Sequence, residues 1–375
     1  MPRLTAEPSA AVVPALEAVA AYGLVGTRRE LPTEPLAGPE WEALLDAAAR
    51  ERLVGLLALA ILDGAFPATA DQVESVANLE TDVAVVALML ERLLLAVADR
   101  FGDAGIDFRV LKGPSVAHVD YPEPALRSFG DLDLLVRGAD FAGAVAVLEA
   151  DGGRRAVPEM RRGFDQRFGK GATISMPGQL EVDLHRTFVA GPLGMMIDLE
   201  GLFQTSTGFV LGDRLLVGLG TEERFLHACV HAALGRPARL NSLRDIAQMA
   251  LGGDLDLARV YGLADAWRAR AVLARAVNLA WTTLAVSDSV ALSAWAERFR
   301  PGPDDRRLLD AYVGGDRSFT RQAIATFRVI PRRRDKVAYA RSLLFPERPY
   351  LEARDTGRFD HVRRGSAHLR WGVSR

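Results

Sequence analysis

Lysine is almost missing from this chain. Its 375 residues hold three, Lys112, Lys170 and Lys336, against 43 arginines. Cysteine is scarcer still: Cys229 stands alone, which excludes an intrachain disulfide framework and makes a reducing, cytoplasmic location the expectation. No charge sign is in excess, and a formal net charge of −2 gives no whole-chain attraction to a phosphate backbone. Long apolar runs are also lacking. The most apolar window, "VAVVALMLERLLLAVA" (Val83 to Ala98), is broken by Glu91 and Arg92 well short of the ~20 residues a membrane span needs. It predicts a buried helix and no membrane partner. The N-terminal "SAAVVPALEAVAAYGLVG" holds Pro14 and Glu17 and follows only Arg3 as a positive residue, so it is not expected to be a secretory leader.

What remains is an ordinary globular composition, 49% hydrophobic and 25% charged, on a chain long enough for two or three domains. The preference for arginine over lysine, with abundant alanine, points to a GC-rich genome and not to a function. Residues 1 to about 40 are rich in proline and alanine and predict a short helix and loosely held coil. From Glu40, helical spacing continues to Gly64, and a second long helix runs from about Ala70 to Phe101. The period then shortens. "DFRVL", "GDLDLLV", "QLEVDLHRTFV" and "DRLLVGL" read as strands, with a helix over Asp140 to Gly153 between them. Helical patterns return from Thr221, where Thr221 and Glu223 or Arg224 stand near capping-box positions, and persist to about Leu344. These patterns divide the chain into an N-terminal helical region (1–104), an α+β core on a small mixed sheet (105–219), a C-terminal helical domain (220–345) and a basic, weakly ordered tail (346–375).

The chemistry concentrates in "VLKGPSVAHVDYPEPALRSFGDLDLLV", Val110 to Val136. Asp131 and Asp133 lie two residues apart, so on a strand both side chains leave one face about 6–7 Å from each other. Hard divalent cations want carboxylate oxygens at such spacing. "LEVDLHR" offers a third carboxylate: Glu181, Asp183 and His185 alternate with Leu180, Val182 and Leu184. Upstream, Gly113 allows close backbone approach and Pro114 can open a helix with free amides near Ser115, an anion site. Lys112 and Arg127 are placed to neutralise phosphate charge. Alone, a D-x-D pair is usually accidental and an E-x-D strand is usually a solvated face. Their order and their placement on predicted strands make the functional reading the better one.

These blocks resemble the nucleotidyltransferase superfamily typified by DNA polymerase beta and the aminoglycoside nucleotidyltransferases. They are more closely similar to an uncharacterised nucleotidyltransferase family of bacteria with an "LKG…Y…R…GDIDLLV" block and a following "v-D/E-l-H" strand. "EERFLHACVHAAL" and "LNSLRDIAQMA" extend the likeness into the helical region. The resemblance implies a polymerase-beta-like core flanked by N-terminal helices and a C-terminal helical domain. It implies transfer of a nucleoside monophosphate from an NTP, with two Mg²⁺ ions, to an acceptor hydroxyl or phosphate. Asp131 and Asp133 match the metal-binding pair, and Asp183 matches the third carboxylate, which helps hold the catalytic metal and activates the acceptor. Lys112, Gly113, Ser115 and Arg127 match positions around the triphosphate, although "KGPS" departs from the usual Gly-Ser. The acceptor is expected to be a small molecule or peptide in preference to nucleic acid. Two alternatives stay open: a non-catalytic accessory protein on the same fold, and a toxin-like enzyme modifying tRNA or protein.

Other residues have blander readings. His227 and His231, at i and i+4, read as helix packing, and His185 as a candidate lining of the acceptor pocket. Lys170 in "FGKGA" reads as a loop over the site or a simple turn, and Arg244 with Asp245 as a tie between helices. "IPRRRDK" reads as a solvated face. The tryptophans at 267, 281 and 295 have core spacing.

Overall fold

The computed structural model describes residues 12–235, 238–288, 290–313 and 319–354. The chain begins with α1 (Val12–Ala21), α2 (Gly38–Glu51), α3 (Val54–Leu62) and α4 (Ala70–Asp103). The first helix is no loose segment: Val12, Val19 and Ala20 are fully buried. The coil after it is pinned where Thr27 bridges Val286 and the Arg29 guanidinium donates to the Thr283 carbonyl. The helix expected to run unbroken from Glu40 to Gly64 is two helices. Arg52 takes a left-handed conformation (φ 59°) and closes α2 with its amide, and α3 departs in a new direction. The cost of left-handed backbone at a non-glycine residue is of order 1–2 kcal/mol, and what it achieves is visible at the site below. In contrast, α4 runs for 34 residues, about 51 Å, from a capping box in which Thr69 and Gln72 satisfy each other's backbone amides.

Seven strands follow: β1 (Phe108–Val110), β2 (Leu132–Val136), β3 (Arg154–Arg155), β4 (Gly171–Met176), β5 (Leu180–His185), β6 (Thr207–Leu211) and β7 (Arg214–Gly218). They form one mixed sheet in the order β3-β4-β5-β2-β1-β7-β6. Between strands lie α5 (Pro114–Asp120), α6 (Phe141–Ala150) and α7 (Pro192–Met196). The four sequence-predicted strands are β1, β2, β5 and β7; β3, β4 and β6 were not foreseen. Alternation sets the faces. Leu132, Leu134 and Val136 with Val182 and Leu184 pack under α4 and α6 in one core. Asp133 and Leu135 with Asp183 and His185 take the other face. A one-residue slip would drive Asp133 into the apolar layer, so the leucines fix the register that presents the carboxylates.

The remaining helices are α8 (Thr221–Leu234), α9 (Leu240–Leu251), α10 (Leu257–Ala266), α11 (Arg270–Thr283), α12 (Ala291–Arg298), α13 (Pro303–Val313), α14 (Phe319–Val329), α15 (Arg333–Leu344) and α16 (Arg348–Ala353). Helices α1 to α3 share a single core with α8 to α13, which includes Trp267; Trp281 and Trp295 pack at its edge. The N-cap of α8 is Gly220 with no side-chain bond, so Thr221 does not form the expected capping box. Arg332, Arg333 and Arg334 are exposed, in keeping with a solvated face. Part of the expected weakly ordered tail is helical: α16 is anchored where the Glu347 amide donates to the Met160 carbonyl. Residues 355–375 lie outside the described residues. Among the described residues no helix is long and apolar enough to cross a membrane.

Candidate active site

Strands β2 and β5 are parallel neighbours, and their register sets Asp133 opposite Asp183. On the far side of β5, antiparallel β4 sets Thr173 opposite Asp183. Two carboxylates and a hydroxyl therefore form a row across three strands on one face. His185 lies two residues beyond Asp183 on that face, and its Nε2 is 2.9 Å from Asp133 Oδ1. His185 is almost wholly buried and spends its Nε2 on Asp133. Asp183 accepts a short hydrogen bond from the Thr173 hydroxyl. Asp131 precedes the strand, and its Oδ1 lies 3.0 Å from Nη1 of Arg52. The left-handed break between α2 and α3 thus delivers an arginine to the first aspartate. Nothing in the local sequence announced it.

Asp133 is almost wholly buried, which taken alone would raise its pKa. The hydrogen bond to His185 and the charge of Lys112, whose Nζ is 3.1 Å from Oδ2, outweigh burial and hold the carboxyl well below the usual range. The His185 Nδ1 is buried without a hydrogen bond. Asp133, Asp183 and His185 each offer a ligand atom, all within 4.8 Å of one another. Two carboxylates facing each other across adjoining strands, and a third carboxylate just before the strand, are a donor set that suits a hard divalent cation. Glu181 is exposed, outside this cluster.

Two of the three lysines converge here. Lys112 follows β1, where Gly113 adopts φ 62° and ψ −118°, open to glycine only, before Pro114 begins α5. Lys170 lies between Gly169 and Gly171. A Cβ at residue 171 would stand 2.0 Å from the Leu184 carbonyl, so only glycine lets β4 close on β5 at this point. Burial lowers the pKa of Lys170, while Asp133 and Asp183 act to raise it. Lys170 thus stands just before β4, within the field of both carboxylates.

The remaining candidates serve packing. Ser115 is fully buried with its hydroxyl against Gly218, where an added Cβ would stand 2.3 Å from the oxygen. Arg127 is buried in a pair with Asp245 (Nη2 to Oδ2, 2.8 Å), and Asp245 also accepts from the Tyr121 hydroxyl at 2.8 Å. The Arg127 Nη1 makes no hydrogen bond. Arg244 donates to the Ala20 and Tyr22 carbonyls, so both residues tie helices as expected. His227 is fully enclosed, its ring 4.6 Å from that of Phe188, and burial holds it neutral. His231, one turn on and exposed, sets its ring 6.5 Å from that of His227.

A cavity of about 350 Å³ adjoins this row, with Lys170 and Thr173 in its wall.

A family model described as "uncharacterised nucleotidyltransferase" matches residues 37–285, about two thirds of the chain. No curated protein matches it. Two solved structures are similar at low identity. The antibiotic-resistance factor ANT(2'')-Ia is 15% identical, over 49% of this chain and 93% of that one, with a TM-score of 0.35. An antigenic nucleotidyltransferase-like protein from Paracoccidioides brasiliensis is 15% identical, over 55% of this chain and 94% of that one, with a TM-score of 0.34.

Proposed function

The chain belongs to the uncharacterised nucleotidyltransferase family, and from that premise we propose that it moves a nucleoside monophosphate from an NTP to an acceptor hydroxyl or phosphate. The observation that carries this reading is the pairing of Asp133 with Asp183 across adjoining strands, with His185 completing a cluster within 4.8 Å. Asp131, Asp133 and Asp183 would hold two Mg²⁺ ions, which when bound supply Lewis-acid polarisation of the phosphates and of the attacking oxygen. Asp183 takes the proton of the acceptor hydroxyl, with the Thr173 hydroxyl orienting its other side. The acceptor oxygen bonds to the α-phosphorus as the bond from that phosphorus to its bridging oxygen breaks, and pyrophosphate leaves with the electron pair. Lys112 and the Gly113 backbone face the triphosphate, and Lys170 adds positive charge from the β4 side. Ser115 and Arg127 support the Lys112 loop and the Asp131 segment from behind. His185 keeps Asp133 ionised and oriented.

A thermal-shift titration of the full chain tests this without knowledge of the acceptor. With Mg²⁺, at least one NTP at about 100 times its Kd should stabilise the fold by about 2.7 kcal/mol, and excess EDTA should remove the gain. If none of the four common NTPs raises Tm in Mg²⁺, the proposal fails.

A further inference from the structure

The cavity beside Asp183 has two walls of different origin. One is β4 with the segment leading into it, including Lys170 and Thr173; the other comes from α14, α15 and α16. The first wall lies inside the stretch matched by the family model and the second entirely beyond residue 285. Thr173 links the cavity to the carboxylates, because its hydroxyl bonds Asp183.

The lining has a definite chemistry. Phe164, Phe168 and Tyr339 pack on one another with ring centroids 5.3 to 6.1 Å apart; Phe168 and Tyr339 are buried, and the cluster gives the cavity an apolar wall. Arg155 and Asp165 neutralise each other. Among the described residues no carboxylate lies at ion-pair distance from Lys170 or Arg354, although Asp133 and Asp183 act on Lys170 from the site, and Glu159 stands as the single lining carboxylate outside that pair. The lining thus carries three cations, Arg155, Lys170 and Arg354, against two carboxylates, Glu159 and Asp165. About 350 Å³ is at the small end of ligand sites. It admits one or two rings and excludes the body of a tRNA or a folded protein.

We propose that this cavity is the acceptor subsite, and that it takes a small, neutral or anionic hydroxyl compound. This rests on the transferase reading of Asp183. The hydroxyl enters between Lys170 and Thr173, and polycations are rejected by Lys170 and Arg354. Because one wall is built from residues past the family match, acceptor choice belongs to this chain's own helices.

Saturation-transfer NMR on the full chain, with Mg²⁺ and a non-hydrolysable NTP present, tests it. Glucose, glucuronate and N-acetyltyrosine serve as probes, separating a sugar from an aromatic ring, with spermidine as the polycation. At least one of the three should bind wild type. Ala323→Trp, which fills the cavity from α14, should weaken that binding by about tenfold or more while the nucleotide signal persists. Arg354→Glu, at the end of α16, should weaken anionic probes and leave the fold intact if Ala323→Trp does not fold. Binding by none of the three, undiminished binding in both variants, or preferred binding of spermidine overturns the acceptor subsite. Loss of the nucleotide signal in wild type strikes instead at the transferase reading, since probe binding still reports on the cavity.

Discussion

Asp183→Asn should lower nucleotidyl transfer by about 10²–10⁴-fold, the range for loss of a positioned proton acceptor, while Mg²⁺·NTP still protects the fold. The amide is isosteric and can keep a hydrogen bond with the Thr173 hydroxyl, so local structure has little reason to change. What disappears is the negative charge opposite Asp133. Asp133→Asn should behave differently. That side chain sits between Lys112 and His185 in a buried setting, and its loss leaves both without their anion. Both transfer and Mg²⁺-dependent protection by NTP should then be lost. Pyrophosphate release in Mg²⁺ and NTP, to water or to an acceptor that supports wild type, measures the first effect, and the thermal shift measures the second. Retention of transfer within about threefold in Asp183→Asn would show that this carboxylate does not take the proton.

Asp245→Ala should destabilise the protein by about 3–5 kcal/mol, the cost of breaking a buried ion pair from one side. Arg127 and Asp245 are nearly inaccessible, with side-chain exposures of 5% and 6%, so water cannot replace the lost partner. The Tyr121 hydroxyl would lose its acceptor as well. Asp245 lies on α9 and Arg127 just after the Pro124–Leu126 turn, so the pair fastens the segment leading to Asp131 onto the helical core. Replacing both residues by apolar side chains of similar volume should recover much of the loss, because no uncompensated charge remains. Denaturant unfolding measures both variants. A loss below about 1 kcal/mol in Asp245→Ala would mean that the pair is hydrated and contributes as a surface pair does.

The legible part of this protein is the part governed by alternation. In "DLDLLV" and "LEVDLH" the leucines and valines identify one buried face, and the aspartates fall on the other by the geometry of a strand. Pairing of the two strands then brings Asp133 and Asp183 together with no further information. The helix over Ala70 to Phe101 was legible from its helical spacing and recognisable ends, but its expected burial over Val83 to Ala98 was not met: Val85, Val86, Leu88 and Met89 are exposed. Arg52 was not, because a left-handed residue inside a good helical pattern is chosen by tertiary contacts, here with Asp131. Strand β4 was missed because "GATISM" carries weak alternation, and its place is set by pairing with β5. His185 was placed on the correct face, but its partner was hidden, since only the parallel register shows that it reaches Asp133. Lysine usage carried a signal that was readable in advance: two of three lysines sit at the carboxylates, and one is held between glycines that the strand approach requires. The wall from α14 to α16 could not be read, because it depends on how distant helices fold back over β4.

Crystals grown with Mn²⁺ and a non-hydrolysable NTP allow the cation to be located by anomalous scattering. A peak bridging the carboxylates of Asp133 and Asp183, with the α-phosphate beside it and the cavity beyond Thr173 left open, is the expected result. A peak elsewhere, or none between these two side chains at saturating Mn²⁺, would contradict the assignment of this row of carboxylates as the centre of catalysis.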